Sequence, residues 1–416
     1  MDVRWIGCLA LLIMGCPEPE PPCEPQPVIR GPWTVGLYAR VAEIRWETAE
    51  PGCGGLRFAP EGTVNWLGAV ASQTAPIERT LAFGSIEIEH PDVAGTSTLH
   101  RVGLQNLAPN TCYTYQISQP TEVHIGRLCT AAESSDATSV FAVLGDTSPS
   151  LGQTEVLYDA IVATQPQAIL HLGDVQHYTQ QSESWADWHL RSQPLLATAP
   201  ILPVVGDHDF EAVDIAAGNQ VPDPAEYQQY FFTLWGAHGH PQLGKNFAVR
   251  NGPVLYIFGD TESDDGNQIW DEQGSNWLSQ TLDEAEALPG HLFSVLMVHR
   301  PVYTRSVRTE SLVRRNALRQ VLAGHRVPLV LSGHAHCYER FLVEGRTFVV
   351  SGGGGAELEP CDVAHQDPSV AGELASLQQV QRSEHHWIKL SQTTAGLRGQ
   401  AIAKDGTLID QWDIRP

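Results

Sequence analysis

Five short clusters of metal-type residues, each closing an apolar run and all in one order, constrain this chain more than any other feature. They read Gly145-Asp146, Gly173-Asp174, Gly206-Asp207-His208-Asp209, Val298-His299-Arg300-Pro301 and Gly333-His334-Ala335-His336. The runs before them, residues 140–144, 168–172, 201–205, 293–298 and 328–332, have the length and composition of buried strands. A glycine where such a strand ends lets the backbone turn sharply. The next side chain then points into the crevice beyond the strand ends, where ligands bind in open α/β sheets. Carboxylates and imidazoles gathered there repel one another unless cations join them.

Between these strands lie helix-like segments at residues 154–164, 184–196, 276–286 and 312–323, an alternation that predicts a parallel or mixed sheet covered by helices. Residues 27–130 differ: short alternating strands with Gly/Pro punctuation, clearest at 41–46, 84–89, 98–104 and 112–118, predict a small β-sandwich. A polar stretch at 131–139 links the two. Residues 352–355 are four glycines after a strand at 347–350. They lack the Lys-Ser/Thr and helix of a phosphate loop, so close backbone approach to the metal-bearing loops is the expectation. The run 387–414, turning at Lys404-Asp405-Gly406, predicts a closing hairpin.

At 416 residues there is room for two domains, and a net charge of −23 argues against binding nucleic acid or anionic lipid through bulk charge. Arg4 precedes an apolar run at 5–14, too short to span a bilayer and the right size for a secretory signal. The run ends Leu12-Ile13-Met14-Gly15-Cys16, which resembles a bacterial lipobox with Cys16 as the lipidated first mature residue; ordinary secretion is the alternative. A Pro-rich tether follows. The expected organisation is therefore signal 1–15, tether 16–30, sandwich 31–131 and catalytic domain 137–416. The chain is expected outside the cytoplasm, on the bacterial envelope, touching membrane only through its lipid. With Cys8 of the signal and Cys16 set aside, the remaining six cysteines suit an oxidising compartment. Locality favours Cys112–Cys129 and Cys337–Cys361, leaving Cys23–Cys53.

The order of clusters, with Cys337-Tyr338-Glu339-Arg340 after the last, resembles the calcineurin-like metallophosphoesterases and, within them, the purple acid phosphatase branch. Residues 100–117 look like the last strands of that branch's fibronectin type III-like domain. The resemblance implies a four-layer α/β/β/α sandwich preceded by an all-β sandwich. It also implies two metal ions (Fe, Zn or Mn) and a small phosphorylated substrate. By matching positions, Asp146 and His336 would hold the first metal and Asp174 would bridge both. Asp207, His299 and His334 would hold the second. Hydroxide generated at the metals would attack phosphorus, with His208 steadying the transition state or protonating the leaving oxygen and Asp209 orienting its imidazole.

This chain departs from the family pattern in three places. Where the purple branch has a tyrosine ligand, His177 stands, with Tyr178 next to it as the alternative ligand. Where the family generally has Asn, Asp207 adds a negative charge, which should weaken phosphate binding. Where the family has substrate-touching histidines, the chain offers Arg305 and Arg308, with Arg308 the expected phosphate clamp. Tyr303 is a candidate to rim the substrate; Glu339 and Arg340 are expected to brace the histidine loop. The expected activity is acid phosphatase-like phosphomonoester hydrolysis. Hydrolysis of phosphodiesters, nucleotides or phospholipid headgroups is the alternative, and a non-catalytic surface-binding lipoprotein a further one. Residues 211–240, 261–274 and 356–383 are expected to shape the pocket as loops, without revealing the substrate.

Overall fold

The computed structural model describes residues 24–79, 95–118, 122–134, 138–177, 183–209, 211–214, 219–222, 230–231, 246–262, 268–308, 311–363 and 368–415. The signal, Cys16, Cys23, the strand expected at 84–89 and Tyr178 lie outside the described residues.

Two sheets face each other. A ten-stranded sheet runs in the order Leu408–Ile414, Gly396–Ala403, His386–Thr393, Ser139–Leu144, Ala168–His171, Ile201–Pro203, Val28–Val35, Ala42–Thr48, Gly95–Leu104 and Gln73–Arg79. A seven-stranded sheet runs Phe247–Asn251, Val254–Gly259, Phe293–Val298, Leu329–Ser332, Arg346–Ser351, Tyr338–Val343 and Gln378–Arg382. Period-two alternation explains the layering. Phe141, Val143 and Leu170 of the first sheet meet Val295, Met297, Leu329 and Leu331 of the second in the central core. Their neighbours Ala142, Leu144 and Ile169 point the other way, onto helices Thr154–Val162 and Trp185–Leu196. Leu296, Val298 and Val330 likewise meet helices Glu272–Ala287, Leu312–Leu322 and Pro368–Leu377 on the far side. This is the expected α/β/β/α arrangement. Buried on both faces, its strands read as continuous apolar runs.

The N-terminal strands also form two layers. A sheet of Leu67–Ala71, Gly55–Pro60, Cys112–Ser118 and Val123–Cys129 covers Ile44, Trp46 and Val102 with Leu56, Tyr115 and Ile117. The other layer is the outer part of the ten-stranded sheet, joined where Val35 pairs in parallel with Ile201. One sheet thus passes through both regions. The stretch between them is anchored too: Ala131 and Ala132 are buried, and the Ala132 N–H donates to Asn251 Oδ1 at 2.7 Å.

Several expectations change. The helix expected at 276–286 begins earlier, as Glu272–Ala287. Residues 356–383, expected as loop, contain helix Pro368–Leu377 and edge strand Gln378–Arg382. Gly372 and the terminal proline hide a helix that Val370 and Leu374, four apart, tie to the core. The closing hairpin is three strands, and strands Phe247–Asn251 and Val254–Gly259 are additional. Disulfides join Cys112 to Cys129 and Cys337 to Cys361 as expected. Cys53 is also disulfide-bonded.

Candidate metal centre

All five clusters leave the same edge of the two central sheets, and short backbone bonds tie their loops together. Asp146 N–H donates to the Gly173 carbonyl, Thr147 N–H to that of Asp174 and Gly333 N–H to that of His299, each at 3.0 Å. The glycines serve mainly to let these loops touch. A Cβ on Gly206 would collide with the Asp174 carboxylate, and one on Gly352 with the Ala335 carbonyl and Asp146. The four-glycine turn therefore does pack against the metal-bearing loops. The turn itself is taken by the candidate ligands: Asp146, Asp174 and His334 have φ of 59°, 51° and 67°. A left-handed backbone at a non-glycine residue costs on the order of 1–3 kcal/mol and persists where surrounding structure imposes it.

The side chains gather into overlapping groups with all donor atoms within 4.8 Å of one another: Asp146, His177 and His336; Asp146, Asp174 and His299; Asp174, His177 and His208; Asp207, His299 and His334. Asp146, Asp174, His299 and His336 are buried. His336 Nε2 is 3.5 Å from Asp146 Oδ1, and His177 Nδ1 and His299 Nε2 are each 3.5 Å from Asp174 Oδ2. His334 Nδ1 is 3.0 Å and His299 Nε2 2.7 Å from Asp207 Oδ1. Two donors ~2.1 Å from one ion stand about 3.0–3.4 Å apart, so the 3.0 Å spacing fits a shared cation and the three 3.5 Å spacings lie just outside that window.

The tautomers strengthen that fit. His299 Nδ1 donates to the Leu172 carbonyl at 2.8 Å, and His336 Nδ1 to that of Glu357 at 2.7 Å. In each neutral ring the remaining nitrogen then directs a lone pair at carboxylates. Only a cation between them, proton or metal, turns that repulsion into attraction. His336 Nε2 and Asp174 Oδ2 are buried with no hydrogen-bond partner among the described residues. Burial works against protonation of His299, yet Asp174 and Asp207 outweigh it and hold its pKa well above the usual range. Burial likewise opposes charge on His336, which Asp146 raises. His208 is lowered, chiefly by burial.

Residues 139–338 match the family model described as Calcineurin-like phosphoesterase. That segment resembles a calcineurin-like phosphoesterase domain. The chain is 24% identical over 275 residues to Probable purple acid phosphatase 20 of Arabidopsis thaliana, covering 63% of this chain and 62% of the relative. It is 21% identical over 386 residues to Probable inactive purple acid phosphatase 1 of the same plant, covering 78% and 58%. The chain thus spans about three-fifths of the length of these curated relatives. The purple acid phosphatase PPD1 from yellow lupin (Lupinus luteus) seeds has a similar fold. Its TM-score is 0.71 at 14% identity, over 94% of this chain and 74% of that one. PhoD follows with a TM-score of 0.66 at 12% identity, over 95% and 90%.

Around the candidate metal centre, other residues depart from their expected parts. Asp209, expected to orient His208, instead accepts the backbone N–H groups of Asp174 (3.0 Å), Val175 (2.8 Å) and Gly206 (2.8 Å). Its side chain is consumed holding the Asp174 turn. His208 is fixed through its own backbone, its N–H donating to Asp174 Oδ1 at 2.9 Å. Its ring lies 4.0 Å from that of His177. Arg308 pairs with Glu359 at 2.7 Å, outside the ligand cluster. The Arg305 guanidinium bonds Gln378, and its backbone N–H donates to Glu339. Tyr303 is buried against Phe341 and Phe348, so it does not rim the site. Arg340 is tied to Asp410 in the last strand rather than to the histidine loop.

Sequence reasoning missed two supports. Glu183 accepts the His177 backbone N–H at 2.9 Å and also binds Ser148. Arg300 stands 3.2 Å from His334 Nε2 and 3.4 Å from Asp207 Oδ2, and pairs with Glu262 at 2.8 Å. Its position directly after His299 was the only available signal.

Proposed function

We propose that the chain is a phosphatase of purple acid phosphatase type, hydrolysing phosphomonoesters of small molecules with two bound transition-metal ions (Fe, Zn or Mn). The observation that carries the reading is the pair of buried histidines, His299 and His336, whose second nitrogens are committed to carbonyls while the first face carboxylates. Asp146, Asp174, His177 and His336 would hold the first ion, and Asp174, Asp207, His299 and His334 the second. His177 is preferred to Tyr178 because its ring joins Asp146 and His336 in one donor group. Bound cations supply Lewis acidity at phosphorus and a nucleophile near neutral pH.

The chain's residues supply the rest. Asp209 and Glu183 fix the turns that bear Asp174 and His177. Half-buried His208, held beside Asp174, serves the leaving oxygen as proton donor. Arg300 places a positive charge against Asp207, offsetting part of the charge by which this site exceeds one with asparagine there. A curated relative is named probable inactive, but here an oxygen or nitrogen donor stands at every expected position, which supports catalysis. We further infer secretion with lipid attachment at Cys16, the N-terminal strands acting as a fibronectin type III-like packing unit.

Turnover of p-nitrophenyl phosphate by metal-reconstituted protein tests this. The reading expects hydrolysis that chelation abolishes and Asp174→Ala lowers at least a hundredfold. Turnover indifferent to both would overturn it.

A further inference from the structure

In a chain of net charge −23, one pocket beside the second candidate metal site is lined by four guanidinium groups. Among the described residues its walls hold no carboxylate: beside Ser311 and the four arginines, Trp270 and His334 complete its polar and aromatic lining. Three of the arginines are paired with carboxylates that do not line the pocket, Arg300 with Glu262 (2.8 Å), Arg308 with Glu359 (2.7 Å) and Arg315 with Glu373 (3.3 Å). Arg314 has no carboxylate partner among the described residues and lies over the Trp270 ring at 4.7 Å.

The placement of Arg314 and Arg315 runs against helix electrostatics. They stand at the start of helix Leu312–Leu322, whose first turn contains no acid and whose N-cap is Ser311. Cations there oppose the helix dipole, whereas an anion is favoured by dipole, N–H groups and guanidinium together. The arrangement is unfavourable for the helix alone and suits an anionic ligand.

We propose that this pocket is a subsite for a second anionic group, phosphate or carboxylate, carried by the substrate on its leaving-group side. The proposal deepens the phosphatase reading and rests on it for catalysis, though the anion site itself does not. His334 belongs both to the pocket wall and to the Asp207–His299–His334 group. Arg300, 3.2 Å from His334, forms the shared partition. A phosphoryl group at the metals and an anion on Arg314 are therefore neighbours, within the span of one small molecule. Pro301, Val302 and Leu318 provide apolar wall for the carbon skeleton between them.

The test uses full-length metal-loaded protein and two comparisons. Calorimetric titration with butane-1,4-bisphosphonate and butylphosphonate, neither of which can be hydrolysed, reads binding. The bis-anion should bind at least tenfold more tightly, as a charge-assisted guanidinium contact implies. Arg314→Ala should bring that ratio close to one, with Arg314→Gln as a milder second variant. Arg398→Ala, which removes a cation from an exposed pair with Asp413 elsewhere, should preserve it. Kinetics then compare kcat/KM for propane-1,3-diol bisphosphate and 3-hydroxypropyl phosphate, with the same preference and the same loss in Arg314→Ala. Equal affinity for the two phosphonates, or a ratio that Arg314→Ala leaves intact, overturns the subsite. If bisphosphonate discrimination depends on Arg314 while neither ester is hydrolysed, the phosphatase reading falls and the anion site stands.

Discussion

Replacing Asp209 should damage the centre without removing any ligand. Its carboxylate accepts three buried backbone N–H groups, at 3.0, 2.8 and 2.8 Å, two of them in the left-handed turn that presents Asp174. In Asp209→Ala all three donors lose their acceptor. Each buried unsatisfied group costs about 1–3 kcal/mol. Relaxation and water entry recover part, so a loss of roughly 3–5 kcal/mol is expected, a large share of ordinary domain stability. In Asp209→Asn the amide oxygen can keep the Asp174 and Gly206 N–H groups, which share Oδ2. Its NH2 then faces the Val175 N–H, donor against donor, for about 1–3 kcal/mol. Urea unfolding gives the stability change, and elemental analysis after gel filtration gives metal content. The expected order is wild type, Asn, Ala in both. Because the turn is strained, it should relax once its clamp is gone, so metal occupancy should fall even in folded protein. An Asp209→Ala protein with wild-type stability and full metal content would refute this reasoning. So would a loss confined to kcat, which is what a role in orienting His208 predicts.

Further outcomes follow from the same geometry. His208→Ala should lower kcat by about a hundredfold or more while both metals are retained, checked by kinetics with elemental analysis; metal loss would make His208 a ligand instead. Asp207→Asn removes a negative charge within 3.0 Å of His299 and His334 and should lower the inhibition constant for inorganic phosphate by roughly three- to tenfold; an unchanged or higher constant contradicts the charge argument. His386 is pushed down to about 4 because it is fully buried between Ser351 and the Glu384 carbonyl. An unfolded histidine titrates near 6.5. Between those values the unfolded chain takes up a proton that the folded chain does not, so stability falls as pH drops through this window. The loss is on the order of 2 kcal/mol by pH 5. Urea midpoints at pH 7 and pH 5 should differ less in His386→Gln than in wild type.

The gathering of these side chains was legible in sequence because most of the candidate ligands sit where an apolar strand ends, and strands buried on both faces show as unbroken apolar runs. The apolar runs before Asp146, Asp174, Asp207, His299 and His334 all obey that rule. Roles set by backbone partners far along the chain were not legible. Asp209 was assigned to its neighbour His208, but its carboxylate accepts the N–H of Asp174, 35 positions earlier. Glu183 had no periodic signal, and its role rests on the His177 N–H and the Ser148 hydroxyl that it accepts. Arg308 was read from its place downstream of His299 and from its guanidinium, and Glu359, which pairs with it at 2.7 Å, lies in a stretch without a pattern. The continuity of the ten-stranded sheet was hidden for a similar reason. It depends on Val35 meeting Ile201, a pairing between separate regions that neither strand announces.

Counting metal in the purified chain tests the central claim most directly. Inductively coupled plasma mass spectrometry on reconstituted, gel-filtered protein should find close to two transition-metal ions per chain, falling to one or fewer in Asp174→Ala. Wild-type protein holding less than one ion, or an Asp174→Ala variant holding as many as wild type, would contradict a two-ion centre built on these side chains.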